Sequence, residues 1–130
     1  MTGLVGDTGA VVALATGSTL HARDLLQAAV AEGITLAVPA AAYAAAWASS
    51  APLGRMLLDG FLDLSVVVVD PLDAQTARAT AVVLARAGGR ASLDFSQVVV
   101  SAQARSWPVI TATPGPLFAL APDVAVEVLP

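Results

Sequence analysis

The chain is predicted to form one three-layer α/β/α domain, residues 1–130, around a mostly parallel sheet of four or five strands. Short apolar segments alternate with helix-compatible segments along its whole length, as in proteins whose parallel strands are joined by crossover helices. The composition is 57% hydrophobic and 12% charged, against about 45–50% and 25% in typical globular domains. A length of 130 residues is enough for a single domain with a substantial core.

The first half of the chain is predicted to contain two strands and four helices. Leu25, Leu26, Ala29 and Val30 are spaced for one apolar helix face, which ends at Gly33. The predicted strands are Leu4–Gly6 and Ile34–Val38, and the predicted helices are Gly9–Ala15, Thr19–Glu32, Ala40–Ala48 and Pro52–Gly60.

The second half begins with a continuous β-branched run, Leu64–Val69, which is typical of a parallel strand covered on both faces. Asp70 and Asp73, with Pro71 between them, are interpreted as the start of a helix that extends to about Ala87. Ser92 is expected to cap the next helix, and the remaining elements complete the alternation. These are a helix to about Arg105, a strand Val109–Thr111, a helix Pro116–Leu120 and a strand Val124–Val128.

The bulk properties exclude several classes of protein. The longest uncharged stretch, Gly33–Gly54, contains Pro39 and Pro52 and is better explained by a strand and an alanine-rich helix than by a membrane span. The N-terminus lacks a basic region before an apolar core, so no signal peptide is expected. The chain has no cysteine, which excludes disulfides and thiolate metal sites and favours a cytoplasmic location.

The charge pattern argues against non-specific nucleic-acid binding. The net charge is −4, and the six basic residues are arginines scattered along the chain. Binding to nucleic acid through phosphates needs clustered positive charge, and the sequence shows no basic patch. RNA stays open as a partner only if another feature recognises it.

The candidate site residues follow the predicted strands. Asp7 and Thr8 follow the first strand, and Thr111 to Thr113 end the fourth. Right-handed crossovers place the carboxyl ends of parallel strands at one edge, where ligands bind in open α/β sheets. Asp94, in the first turn of a helix, is expected to face the same cleft. An alternative stays open for both acids, because an acid at a helix start also satisfies free backbone amides.

An aromatic pair is expected to mediate self-association. Tyr43 and Trp47 are one helical turn apart and therefore share a face. With Met56 and Leu57 they are candidates for an apolar homodimer interface, since too few charged residues remain to cover a domain of this size. The single histidine, His21, has no evident partner and is not favoured as a catalytic base.

Four segments in this order resemble the PIN-domain family, and within it the VapC-type toxins and their actinobacterial relatives. They are Val5-Gly6-Asp7-Thr8, Ala37-Val38-Pro39, Leu93-Asp94-Phe95 and the run Val109 to Pro114. The resemblance implies a magnesium- or manganese-dependent ribonuclease with about four metal-binding acids. Asp7 matches the first acid and Asp94 a later one, so these two residues are the expected metal ligands.

Two of the four implied acids are missing. The acid implied in the helix after Pro39 falls at about Ala45, and the acid after the fourth strand falls on Thr113. Because hard divalent cations need oxygen ligands, the metal is expected to bind weakly. Asp7, Asp94 and Thr113 are the candidate catalytic residues, and Thr8 and Thr111 the candidate substrate-binding residues.

Three functions follow from this resemblance and its gaps. The first is a catalytically impaired binding or regulatory protein, either a homodimer or the partner of a small antitoxin-like protein. The second is a weakly active Mg- or Mn-dependent endoribonuclease of a toxin–antitoxin system, and whether the chain is an enzyme depends on this choice. The third is an unrelated flavodoxin-like binding module whose acids only cap helices.

Overall fold

The computed structural model describes residues 2–130, and these form a five-stranded parallel sheet flanked by helices. The strands are β1 (Gly3–Gly6), β2 (Thr35–Pro39), β3 (Val67–Asp70), β4 (Val109–Thr111) and β5 (Val126–Val128). The helices are α1 (Thr8–Thr16), α2 (Leu20–Glu32), α3 (Ala40–Ser49), α4 (Pro52–Leu62), α5 (Ala74–Ala87), α6 (Leu93–Arg105) and α7 (Pro114–Leu120). The predicted α/β architecture with a parallel sheet is confirmed.

The strand order, β3-β2-β1-β4-β5, places β1 at the centre of the sheet. Residues of β1 pair in parallel with β2 on one side and with β4 on the other. All four residues of β1 are buried. This order differs from the 2-1-3-4-5 order of flavodoxin-like sheets. The alternative that the chain has a flavodoxin-like fold is therefore wrong.

The sheet is covered on both faces, each with its own apolar core. Helices α1, α2 and α4 supply one core, around Val11, Leu14 and Leu58. Helices α6 and α7 supply the other, in which Val98 and Leu117 pack against the opposite face. Helix α3 contributes Ala46 to the first core and Ala42 to the second. Alanine suits a helix in this position, because its small side chain lets neighbouring elements approach closely.

The expectation that the third strand is covered on both faces is wrong. Strand β3 is only Val67–Asp70 and lies at the edge of the sheet. Val68 is 37% exposed and Val69 is 44% exposed. The β-branched run predicted a strand correctly, but burial depends on which strand lies beside it, and nothing local determines that.

The interpretation of Asp70 as a helix starter is also corrected. Asp73, not Asp70, caps α5, and its side chain accepts a hydrogen bond from the Thr76 amide. Asp70 ends β3 and accepts a hydrogen bond of 3.0 Å from Nε of Arg105, with which it forms an ion pair. Smaller differences concern the last two elements, since α7 begins at Pro114 and β5 at Val126.

No helix within residues 2–130 is long and apolar enough to cross a membrane.

Candidate functional site

Two acids and two threonines meet in a cleft at the carboxyl edge of the sheet. Its volume is about 210 Å³, and it is lined by Asp7, Thr8, Gly9, Ser92, Asp94, Phe95 and Thr113. The acids come from opposite halves of the chain, one after β1 and one in the first turn of α6. The predicted convergence of Asp7 and Asp94 on one cleft is confirmed, while their catalytic and metal-binding roles stay predictions.

Asp7 is at the same time the N-cap of α1. Its Oδ1 accepts a hydrogen bond of 2.8 Å from the Ala10 amide, which would otherwise lack an intrahelical partner. The cap holds the carboxylate in a fixed orientation at the end of β1. Capping and a place in the cleft therefore coexist in this residue.

Asp94 is oriented by Thr8, 86 positions away in the chain. The Thr8 hydroxyl donates a hydrogen bond of 2.6 Å to Asp94 Oδ2. Burial of Asp94 opposes ionisation and is the largest influence on its pKa. Hydrogen bonds from Ser92, Thr8 and the backbone outweigh it and lower that pKa from the usual 3.8. Asp94 is therefore a carboxylate at neutral pH.

The two threonines that end β4 occupy different places. Thr113 is exposed and lines the cleft. Thr111 is 2% exposed, and its hydroxyl accepts a hydrogen bond of 3.0 Å from the Thr113 amide. Thr111 thus lies behind the cleft and supports the turn that carries Thr113, instead of lining the surface where a substrate contact was expected.

The residues present do not fit the four-acid metal site that the resemblance implies. Within residues 2–130 no group of three or more His, Cys, Asp or Glu side chains could hold a metal ion. The cleft offers two carboxylates and the hydroxyls of Thr8, Ser92 and Thr113. One of the two carboxylates, that of Asp7, already caps α1. Since each carboxylate supplies both charge and an oxygen ligand, this set is poor for Mg²⁺ or Mn²⁺.

An apolar groove lies next to the cleft, where one missing acid was expected. Its volume is about 350 Å³. Asp94 lines it together with six apolar residues, which are Ala40, Ala41, Ala44, Ala45, Leu72 and Leu93. Leu93 is 48% exposed and Leu72 36%. Ala45 therefore faces the same groove as Asp94, and a surface that an acid there would make polar is apolar.

The position of α3, one wall of this groove, depends on a residue that sequence reasoning missed. Gln97 is fully buried. Its Oε1 accepts a hydrogen bond of 2.8 Å from the Ala41 amide, and its Nε2 donates one of 3.0 Å to the Asp70 carbonyl. The cap residue of α3, Pro39, provides no side-chain hydrogen bond. A glutamine directly before three valines in a predicted helix was the available signal.

The two aromatic residues predicted to form an interface, Tyr43 and Trp47, lie in different environments. Tyr43 packs against the core and donates a hydrogen bond of 2.5 Å to Asp59. Burial raises the pKa of Tyr43 to about 12, and the bond to Asp59 acts in the same direction. Trp47 is 38% exposed, and the Arg55 guanidinium lies 4.1 Å from its ring centroid. Trp47 is therefore the more accessible of the two.

The architecture matches chains of solved VapBC and FitAB structures. A chain of VapBC2 from Rickettsia felis, bound to a DNA fragment from their promoter, matches with a TM-score of 0.76 and 13% identity over 99% of this chain and 100% of that one. A chain of DNA-bound VapBC from Salmonella typhimurium matches with a TM-score of 0.70 and 19% identity over 98% of each chain. The fold is VapC-like.

A third match gives the same fold at similar identity. A chain of FitAcB from Neisseria gonorrhoeae matches with a TM-score of 0.60 and 19% identity over 95% of each chain. No model of a known protein family matches this chain. No curated protein matches it either.

The assignment to the PIN-domain family made from the sequence is therefore corrected. Identities of 13% to 19% establish a shared fold and not membership of a family, and the family comparison finds no match. The anchoring segments are short. Three of them lie at the ends of β1, β2 and β4, where buried parallel strands are generally apolar, and Leu93-Asp94-Phe95 begins α6. The likeness therefore extends to the fold alone.

Proposed function

We propose that this protein is a VapC-like fold that has lost efficient RNA cleavage and acts by binding a protein partner of the antitoxin kind. The observation that carries the proposal is the donor set of the cleft. Asp7 and Asp94 face it, whereas Ala45 and Thr113 occupy the positions where acids were expected. Losing even an outer-shell metal contact typically costs about 10- to 100-fold in affinity or activity, and losing two carboxylate ligands costs at least as much.

The apolar groove beside Asp94 supports binding of a protein segment. A groove of about 350 Å³ with alanine and leucine walls accepts an apolar side chain. The ionised Asp94 at its rim then pairs with an arginine or lysine next to that side chain. The matching solved structures of VapBC and FitAcB are themselves complexes of this kind, which supports a partner of antitoxin type.

The remaining parts of the proposal concern association and location. The protein self-associates, because Leu53 and Met56 are each more than 60% exposed and exposed apolar patches mark interaction sites. We place the protein in the cytoplasm, where a chain without cysteine loses nothing to the reducing environment.

A second function, a weak Mg- or Mn-dependent endoribonuclease, is favoured by one observation. The carboxylates of Asp7 and Asp94 share one cleft, and the lowered pKa of Asp94 keeps it charged at neutral pH. Mg²⁺ often binds through one or two carboxylates plus substrate phosphates. The first candidate function predicts no RNA cleavage that depends on Asp7 and Asp94. The second predicts metal-dependent cleavage that requires both acids.

An RNA cleavage assay separates the two. We expect the unmodified protein, incubated with mixed RNA and either Mg²⁺ or Mn²⁺, to cleave no faster than the Asp7→Asn variant. Asp7→Asn is the matched control, because asparagine still caps a helix but removes the charge. Metal-dependent cleavage that this substitution abolishes would establish the ribonuclease instead.

A peptide selection tests the binding surface. Peptides selected from a displayed random library on the unmodified protein are expected to carry an apolar side chain next to arginine or lysine. Their affinity should fall at least tenfold for Asp94→Asn and for Ala44→Glu, which charges the groove. Asp123→Asn, an exposed acid outside the groove, is the control. Equal binding by all three variants would contradict the proposed surface.

A further inference from the structure

A further pocket lies at the amino edge of the sheet, on the side opposite to the cleft. Its volume is about 260 Å³. Its walls come from the end of α6 and from the segments that lead into β4 and β5. The polar and aromatic residues that line it are Gln103, Ser106, Trp107 and Asp123. The cleft and the apolar groove are lined by other residues, so this pocket is a separate place on the molecule.

Asp123 is the charged residue of this pocket. Within residues 2–130 its carboxylate forms no ion pair and no hydrogen bond, and the residue is exposed. The pocket therefore offers a negative charge that no cation of the described chain neutralises.

The end of α6 adds partial negative charge at the same place. The two amides directly after the helix both donate to the Ala102 carbonyl. The next residue, Pro108, has no N–H, and the Val109 amide donates to a carbonyl of the segment before β5. These amides therefore leave the last three carbonyls of α6, in residues 103–105, without a helical partner. Such a helix end carries roughly half a negative elementary charge, which favours a cation.

Trp107 gives the pocket an aromatic wall that suits a flat organic cation. The guanidinium of Arg105 already lies 4.7 Å from the centroid of this ring. Its charge is balanced by the ion pair with Asp70, so it does not serve Asp123. A guanidinium is planar and weakly hydrated, packs on aromatic rings and bonds a carboxylate through two parallel donors. A metal ion suits the pocket less well, because it needs several oxygen ligands and Asp123 is one carboxylate.

We propose that this pocket binds a small molecule that carries a guanidinium group on a short alkyl chain. The guanidinium pairs with Asp123 and with the carbonyl end of α6, and the alkyl chain packs against Trp107 and the buried side chains of Ala102 and Val124. A carboxylate on the ligand would be repelled by the same charges, so agmatine is favoured over arginine. This inference is independent of the proposed function, since it concerns the opposite edge of the sheet.

An NMR titration tests the pocket, with n-butylguanidinium as the probe and n-butylurea as a neutral probe of the same shape. The chain has two tryptophans, so the indole N–H signal of Trp107 is assigned by comparison with Trp47→Phe. We expect this signal to shift saturably with butylguanidinium, with a Kd in the ~mM range of ligands with few heavy atoms. A Trp107 signal that does not move, or equal binding of butylurea, would overturn the inference.

Two variants separate the charge in the pocket from the net charge of the protein. Asp123→Asn should weaken the binding of butylguanidinium at least tenfold, because it removes the carboxylate but keeps the size of the side chain. Asp24→Asn, at an exposed position of α2, removes the same charge elsewhere and should leave the Kd unchanged. Equal weakening in both variants would show that the probe responds only to net charge, and would overturn the site.

The class of ligand is tested with agmatine, arginine and a blocked glycine–arginine–glycine tripeptide. Agmatine should bind at least tenfold more tightly than arginine, from which it differs by the carboxylate, and more tightly than the tripeptide, whose backbone has to stay outside a pocket of this size. Equal affinity for agmatine and arginine would contradict the exclusion of carboxylates. Tighter binding of the tripeptide would assign the pocket to an arginine side chain of a protein and overturn the small-molecule ligand. Each of these failures leaves the RNA cleavage and peptide-selection results of the proposed function unaffected.

Discussion

At the scale of single residues, Asp7 shows why a sequence motif with two interpretations need not have one answer. Its carboxylate caps α1 and lines the cleft. The two roles agree because the last residue of a central parallel strand is also the residue before the next helix. The helix start that needs an acceptor and the sheet edge that binds ligands are therefore the same place.

Replacing Thr8 by valine is expected to raise the pKa of Asp94. The substitution keeps the shape of the side chain but removes the hydroxyl that donates 2.6 Å to Asp94 Oδ2, one of the bonds that lower this pKa. Carbon-detected NMR titration of the aspartate carboxyl groups measures the change. Thr8→Ser, which keeps the donor, should leave the pKa low, and an unchanged pKa in Thr8→Val would contradict the assigned cause.

The same hydrogen bonds predict how stability depends on pH. Because the pKa of Asp94 is lowered on folding, its contribution to the free energy of unfolding is complete above the unfolded value of about 3.8 and is lost as the pH falls through the folded pKa. Thr8→Val should therefore destabilise the protein more at pH 7 than at pH 2.5, as measured by urea unfolding at both values.

Gln97 is expected to be among the costliest polar residues to replace. Leucine at this position would leave the Ala41 amide and the Asp70 carbonyl buried without their partner, and each such group costs about 1–3 kcal/mol. Urea unfolding of Gln97→Leu should show a loss of about 2–4 kcal/mol. Gln103→Leu, at an exposed position of the same helix, is the control and should change stability little. Similar losses in both variants would refute the structural role.

At the scale of whole elements, the contact between β1 and the segment before β4 leaves no room for a side chain on Gly3. A Cβ there would overlap the ring of Trp107, which packs against the second core. The ring is held from another side by Arg105, whose guanidinium lies 4.7 Å from its centroid. The ion pair of Arg105 with Asp70 then connects this end of the sheet to β3.

The Gly3→Ala variant should therefore lose about 1–3 kcal/mol of stability, the usual cost of overpacking. Combining it with Trp107→Leu should relieve the overlap, so the double variant should lose less than the two single variants predict together. Gly115→Ala is the control, because a Cβ at Gly115 meets no atom within 4 Å. Additive losses in the thermal unfolding of the double variant would show that the overlap is not the cause.

The edge position of β3 shows that contacts between elements, and not the local sequence, determine how far a strand is buried. Its valines match the pattern of a buried strand, yet Val69 is 44% exposed. The hydrophobic pattern indicates that a segment favours a sheet, but the number of neighbours is determined by strand order. Exposed edge strands carry a risk of pairing with other chains, and β3 limits this by being only four residues long.

At the scale of the whole molecule, restoring the missing acids is expected to raise metal affinity. Ala45→Glu and Thr113→Asp add two carboxylates around Asp7 and Asp94, and each provides charge and an oxygen ligand for Mg²⁺ or Mn²⁺. Calorimetric titration should show weak binding to the unmodified protein, in the ~mM range of poorly charged sites, and binding at least tenfold tighter to the double variant.

The control for this titration is a pair of acids of the same charge placed elsewhere. Val82→Glu with Leu20→Glu adds two carboxylates at exposed positions on α5 and α2, so it reproduces the change in net charge without the cluster. Its metal affinity should equal that of the unmodified protein. Tight binding by the unmodified protein would show that two acids suffice and that the site is not degenerate.

The sequence alone determined the class of fold and the ends of most elements. Alternating apolar and helical segments require a layered α/β structure, because each segment must bury its apolar face. Caps such as Thr19 and Ser92 were local, since each accepts a hydrogen bond from an amide three residues later. Such contacts depend on spacing within one helix, which a sequence displays directly.

Only the tertiary structure decided which distant groups meet. Gln97 contacts a helix start 56 positions away, and Arg105 reaches Asp70 across 35 positions. The strand order places β3 at the edge of the sheet. Because α3 packs beside α6, the alanines of α3 line one wall of the groove. Long-range contacts of this kind arise from the packing of the whole chain, and no local pattern of residue types encodes their partners.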